Sequence, residues 1–267
     1  MFENVEWQKD RMLMDGLVFR LQHYMSDEWE LGPECFIFFK IRELVDQYEA
    51  FFASRPNFRP QNVFELGLWD GGSLAFWFEN LRPKKQVGID IAHRPDSDYF
   101  LRYVGDRGLA ERIKTHWGVD QSDSKTLRKI VGREFDGPLD LVIDDASHMY
   151  GPTKSSFECL FPLLRRGGLY VIEDWAWEHW VEYNSAGNSM ARKKDGLTRL
   201  IGEFVVATGA SETLIKSLTI YQGFIVIERG PAELSRENGF ELSSFGRPQF
   251  HNQTRFNKFL SRFRRQS

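Results

Sequence analysis

From residue 63 onward, short apolar runs alternate with longer stretches in which apolar positions recur at helical spacing. The runs 63–66, 86–91, 113–117, 139–143 and 169–172 read as strands, and the spacing predicts helices over 72–81, 97–110, 122–132 and 152–165. In 152–165, Phe157, Leu160, Phe161 and Leu164 form one stripe, and Arg165-Arg166-Gly167-Gly168 reads as a basic last turn with a glycine stop. A further helix is expected over 194–208. Two β-rich runs around Tyr221-Gln222-Gly223 then read as a hairpin. Such alternation predicts an α/β fold: a Rossmann-like doubly wound sheet of about seven strands, mostly parallel, with an antiparallel strand from the C-terminal hairpin.

The ends are less regular. Residues 1 to 53 look mostly helical, with Phe36, Phe39, Ile41, Leu44, Val45, Tyr48 and Phe51 at near-helical spacing. The stretch SRPNFRPQN at 54–62 reads as a linker, because each proline biases its neighbourhood towards extended chain. Three parts are therefore expected. These are a helical N-terminal extension over 1–58 (a lid or an oligomerisation element), a ligand-binding domain over 59–232, and a C-terminal extension over 233–267. The last part ends in a basic run with Arg255, Lys258, Arg262, Arg264 and Arg265, expected to be solvated.

Composition changes this picture in a few places. At 267 residues the chain can bury a large core. Aromatic content is 15%, with 23 Phe and 8 Trp, a surplus that suits a ligand wall or a contact in a homo-oligomer. The net charge of −3 supplies no basic field for nucleic acid or an anionic membrane. No apolar run reaches the ~20 residues of a bilayer span, and the N-terminus lacks the pattern of a signal peptide. Cys35 and Cys159 are the two cysteines, without metal-site spacing. A cytoplasmic protein with reduced thiols is the expectation.

Candidate chemistry begins with VFELGLWDGGS, a strand, a glycine turn and a helix start. Gly67 can take positive φ and admit close approach of a ligand, while Gly71, Gly72 and Ser73 open the helix. Asp90 ends the next strand, where a carboxylate can accept ribose hydroxyls, and Asp120-Gln121 follows the third strand. A dinucleotide turn would carry Gly-x-Gly-x-x-Gly, but Trp69 stands where its second glycine should be. Glu65 would moreover repel a phosphate. An adenosyl ligand with a cationic centre, S-adenosylmethionine, suits the turn better. Any one of these acids alone would read as a surface carboxylate or helix cap; the ordered set at successive strand ends carries the reading.

A second constellation is LVIDDASH followed by GGLYVIED. Asp144 and Asp145 end one strand and Glu173 and Asp174 end the next, so both pairs should surface at the carboxyl edge of neighbouring strands, ~4.8 Å apart. Four clustered carboxylates either take up protons or hold a cation, and oxygen donors suit Mg²⁺ or another divalent ion. Because side chains alternate along a strand, Asp144 and Asp145 should point apart. Asp145, Glu173 and Asp174 are the expected ligands, with Asp144 facing the adenosyl side or buttressing a loop. His148 is the expected general base, imidazole being the side-chain base suited to neutral pH. Trp175, Trp177, Trp180 and Tyr183 then crowd a polar segment as a candidate substrate wall.

Together FELGLWDGGS, GIDI, GVDQSD, LVIDDASH and GGLYVIEDW resemble the metal-dependent sugar O-methyltransferases of macrolide biosynthesis, the macrocin and mycinamicin enzymes. The cephalosporin hydroxylase and rhamnosyl O-methyltransferase group is similar. The resemblance covers about residues 60 to 180 and implies Mg²⁺ on Asp145, Glu173 and Asp174, with His148 as base. It also implies S-adenosylmethionine held by Glu65, Gly67, Asp90 and Asp120. The expected activity is methyl transfer to a hydroxyl of a small-molecule acceptor, a sugar or another hydroxylated natural product. Three readings compete: a nicotinamide-dependent oxidoreductase, a non-catalytic adenosyl-binding scaffold, and a nucleic-acid methyltransferase, for which only the basic tail speaks.

Overall fold

A computed structural model describes residues 5–22, 34–180, 196–234 and 240–245. The centre of the molecule is a seven-stranded sheet. Its strands are β5 (Asn62–Leu66), β6 (Lys85–Asp90), β7 (Ile113–Trp117), β8 (Leu139–Asp144), β9 (Leu164–Glu173), β10 (Ile215–Ile220) and β11 (Phe224–Arg229). Their order is β10-β11-β9-β8-β5-β6-β7, and β11 runs antiparallel to both its neighbours while the pairs from β9 to β7 are parallel. The chain order reverses at β5, which lies between β6 and β8. That switch point is where open α/β sheets hold ligands.

Among the described residues six helices accompany the sheet: α1 (Arg42–Ala53), α2 (Gly72–Leu81), α3 (Asp98–Asp106), α4 (Ser124–Glu134), α5 (Tyr150–Leu160) and α6 (Thr198–Ala210). Strand alternation divides the core in two. Val63, Leu141, Ile143, Leu169 and Val171 pack with α1 and α2 on one face. Phe64, Leu66, Val142, Tyr170 and Ile172 pack with α4, α5 and α6 on the other. This parity decides where the strand-end acids point.

The N-terminal expectation needs correction. Among the described residues only α1 is helical there; before it lie β1 (Val5–Trp7), β2 (Arg11–Met14), β3 (Leu17–Leu21) and β4 (Phe36–Phe38), a sheet in the order β1-β2-β3-β4. Asp15 and Gly16 both take positive φ (49° and 78°), the requirement of a two-residue turn whose twist matches its hairpin. The linker stretch is also no spacer: Phe58 is buried and joins the same core as α1 and β5. The 152–165 helix ends early at Leu160, Phe161–Leu163 forms a 3₁₀ turn around Pro162, and Arg165 and Arg166 lie in β9 instead of a basic last turn. The predicted start of the 194–208 helix, Tyr183 and the basic tail fall outside the described residues. Cys35 and Cys159 are free thiols. No helix among the described residues is long and apolar enough to cross a membrane.

Candidate active site

The loops after β5, β6, β7, β8 and β9 open onto one cavity of about 1460 Å³. One half of it is built by the turn after β5. Gly67 has φ +92°, and a Cβ there would lie 2.0 Å from the carbonyl oxygen of Asp145. Glycine is therefore required twice, for the backbone angle and for contact with the β8 loop. Glu65 shares the parity of Val63 and is fully buried. Its Oε1 accepts from Ser73 Oγ at 2.5 Å, and its Oε2 has no hydrogen-bond partner among the described residues. Burial pushes this carboxyl up to about 8 against the opposing pull of Lys40 and Ser73. A buried carboxyl with a vacant acceptor suits a ligand that brings a donor or a positive charge.

Asp90 borders the cavity and fixes the turn. Its Oδ2 accepts from the amides of Leu68 and Trp69 at 2.8 and 2.9 Å, and its Oδ1 from Ala92 at 2.8 Å. Asp120 also borders the cavity but is exposed, holding the amide and hydroxyl of Ser122 at 2.7 Å. Gln121 lines the wall with its amide engaged on both sides, donating to Asp144 and accepting from the Ser147 N–H at 2.8 Å.

Two expected cofactor contacts are corrected. Asp144 has the parity of Val142 and points into the opposite core, where Gln121, Ser156 and Tyr170 all donate to it. Burial raises its carboxyl to about 6 against those hydrogen bonds. It is a structural buttress, and the alternation argument that separated it from Asp145 holds. Gly71 opens α2 at φ +89°, but the space beside it is filled by the Phe100 ring, so it serves packing.

The chemical half of the site lies where β8 and β9 end. Asp145, on the loop after β8, donates its N–H to the Leu66 carbonyl at 2.9 Å. His148 and Asp174 both adopt left-handed backbone, φ 53° and 51°, a conformation that His and Asp enter more readily than most residues. One ligand atom from each of Asp145, His148 and Asp174 lies within 4.8 Å of the others. The His148 Nε2 to Asp145 Oδ1 distance is 3.8 Å. Trp177 donates its indole N–H to the His148 carbonyl at 2.7 Å and so fixes the loop that carries the imidazole.

Glu173 does not join that group. With the parity of Val171 it faces α1 and the segment before it: Lys40 Nζ lies 2.7 Å from its Oε2, and Tyr48 of α1 donates to its Oε1 at 2.9 Å. Lys40 also reaches Asp145 Oδ2 at 2.7 Å. The expected metal ligand is thus held by two side chains that sequence reasoning missed. Lys40 had a signal: a lone lysine closing the apolar run CFIFF, as Asp145 closes its own. Burial alone would lower the lysine's pKa, but the attraction of Asp145 and Glu173 outweighs it and holds the ammonium charged. Burial, then Asp145, raises Glu173 to about 7 against the pull of Lys40, and burial raises Asp174 against the pull of His148. Lys40 and His148 thus face Asp145, Glu173 and Asp174, with Glu65 close enough to feel Lys40. The donor set therefore fits one added divalent cation on the carboxylates of Asp145 and Asp174, with the His148 imidazole beside it.

The remaining aromatics divide. Trp177 and Trp180 line the cavity together with Phe39, Ile41 and Leu44, whereas Trp175 donates to the Tyr221 carbonyl at 2.8 Å and packs on the core.

Residues 64–175 match the family described as "Methyltransferase domain". Among curated relatives, a tetracenomycin-C rhamnosyl 3'-O-methyltransferase of Streptomyces olivaceus is 32% identical over 203 residues, 68% of this chain and 48% of that protein. Mycinamicin VI 2''-O-methyltransferase of Micromonospora griseorubida is 41% identical over 126 residues, 44% of this chain and 28% of that protein. The solved MycE methyltransferase of mycinamycin biosynthesis, in complex with Mg, SAH and mycinamycin VI, superposes with a TM-score of 0.52. Its identity is 29%, over 72% of this chain and 51% of that one. The chain spans about half the length, or less, of these relatives.

Proposed function

We propose, from the premise that residues 64–175 of this chain are a methyltransferase domain, that it is an S-adenosylmethionine-dependent O-methyltransferase acting on a hydroxyl of a sugar or glycosylated natural product, with a divalent ion. The observation that carries this reading is the convergence of Asp145, His148 and Asp174 on the cavity that the Gly67 turn also borders. A nucleotide-binding turn alone would suit many reactions. An oxygen-rich ligand set and an imidazole beside it suit the activation of a hydroxyl.

Each residue has a role on this reading. Gly67, Ser73, Asp90 and Asp120 hold the donor, with Glu65 taking its cationic end. Asp145 and Asp174 hold the divalent ion, which when bound makes an acceptor hydroxyl easier to deprotonate. His148 takes that proton. The acceptor oxygen forms the new bond to the methyl carbon as the sulfur–methyl bond breaks, leaving a methyl ether and S-adenosylhomocysteine. Trp177 keeps the base in place through its hydrogen bond to the His148 carbonyl. Phe39, Leu44 and Trp180 offer apolar and aromatic faces to an acceptor, and Gln47 and His179 offer polar contacts beside them.

The rivals lose ground. The similar proteins named above are methyltransferases, which favours neither an oxidoreductase nor a scaffold. A screen with methyl-labelled S-adenosylmethionine, glycoside and catechol acceptors and Mg²⁺ tests the proposal. A labelled methyl ether formed together with S-adenosylhomocysteine supports it. Absence of cofactor binding overturns it.

A further inference from the structure

Arg94 follows Asp90 on the loop after β6 and borders the cavity together with Asp90 and Trp69. Its guanidinium carbon lies over two indoles, 5.0 Å from the centre of the Trp69 ring and 4.9 Å from that of Trp117. Both supports are held in place. The Trp69 amide donates to Asp90 at 2.9 Å, and the Trp117 indole N–H donates to Asp96 at 2.8 Å. A guanidinium carries its N–H donors in its own plane, so stacking fixes the group and leaves those donors to find acceptors at its edge. Nη2 of Arg94 is buried and has no hydrogen-bond partner among the described residues. A buried donor in that condition costs free energy until a ligand brings it an acceptor. Asp90, beside it, has the opposite limit. Its carboxylate already accepts from the amides of Leu68, Trp69 and Ala92 and can only accept. It can take the hydrogens of a ribose diol, but the diol oxygens need a donor from elsewhere.

We propose that Arg94 is a ribose-binding residue: its Nη2 donates to a hydroxyl oxygen of the same diol whose hydrogens Asp90 accepts. This rests on the proposed adenosyl donor and deepens it. It also gives Trp69 a use. Where a dinucleotide turn keeps a glycine to admit a pyrophosphate, this turn carries an indole that positions a cation beside an uncharged diol.

Calorimetry on the full chain with S-adenosylhomocysteine and with its 2′,3′-dideoxyribose analogue tests this without depending on turnover. The parent should bind the dideoxy analogue at least tenfold more weakly than S-adenosylhomocysteine. Arg94→Met, which keeps an apolar chain between the indoles, should lose at least tenfold in affinity for S-adenosylhomocysteine. Its affinity for the dideoxy analogue should stay within threefold of the parent's. A folded Arg94→Met that loses equally for both ligands overturns the proposal, because Arg94 then only braces the turn. A parent that binds both ligands within threefold of one another also overturns it. If Arg94→Met does not fold, as checked by circular dichroism, Arg94→Gln is read by the same criteria. An analogue without the methionyl carboxylate supplies the last arm: if the loss in Arg94→Met vanishes with it and persists with the dideoxy analogue, the guanidinium holds the carboxylate and the ribose assignment is overturned. A parent that binds no S-adenosylhomocysteine overturns the proposed function itself, and this inference with it.

Discussion

Gly67 and Glu65, two residues apart, carry opposite kinds of constraint. Gly67 is fixed by geometry, since any side chain would collide with the Asp145 carbonyl at a positive φ. Gly67→Ala should lower stability by ~2–4 kcal/mol in urea unfolding and weaken S-adenosylhomocysteine binding, because the β5 and β8 loops must part. Glu65 is fixed by charge. Its carboxyl sits at about 8 in the folded chain, against ~4.3 for a glutamate in an unfolded one. Between those values the folded state holds the extra proton, so the ligand-free protein loses stability as pH rises through that window. Asp70 and Asp144, raised by burial to about 6, add to the same slope. Glu65→Gln should flatten the slope and be the more stable protein near pH ~8 by at least ~1 kcal/mol, the difference fading towards pH ~4. Urea midpoints across that range check it, and a steeper slope in the variant contradicts it. Gly67 and Asp144 were legible from the sequence because each closes an apolar run, and Glu65 because it interrupts one just before the glycine turn; Asp70 was not singled out. Which oxygen meets which donor was not, since that depends on strand parity and on Lys40 and Tyr48 arriving from a distant segment.

At the level of elements, the Rossmann-like half was readable because parallel strands buried on both faces give continuous apolar runs, with glycine turns and helix starts between them. The N-terminal sheet was not read, although MLMDGLVF places Asp15-Gly16 between apolar residues, a strong hairpin signal. The apolar spacing of 36–51 masked it: Phe36–Phe38 is a strand packed on α2, and helical spacing belongs to α1 alone. The same segment delivers Lys40 and Tyr48, so misreading it hid the partners of Glu173. The loop after β9 makes a separate contribution through Trp177. Trp177→Phe keeps the apolar volume and deletes the hydrogen bond to the His148 carbonyl. Turnover should fall ~10-fold with cofactor affinity unchanged, as expected when a supporting contact slackens a catalytic side chain. Steady-state kinetics beside calorimetry with S-adenosylhomocysteine separate the two effects, and an equal loss in both would make Trp177 a cofactor-side residue.

For the whole molecule, the sheet order brings the Gly67 turn, the acids and the wall of Phe39 and Leu44 to one edge at the switch point between β6 and β8. Nothing local requires Asp145 and Asp174 to meet; the pairing of β8 with β9 does that. The central claim is that this meeting holds a divalent ion which acts on the acceptor and leaves the donor site intact. The most direct measurement is methyl transfer to an accepted glycoside in the parent, Asp145→Ala and Asp174→Ala, with and without EDTA, alongside S-adenosylhomocysteine affinity in each. The account predicts that EDTA abolishes transfer and Mg²⁺ restores it. It also predicts that both variants lose at least ~100-fold in turnover while cofactor affinity stays within about threefold. Transfer indifferent to EDTA, or variants that lose the cofactor together with the activity, would contradict it.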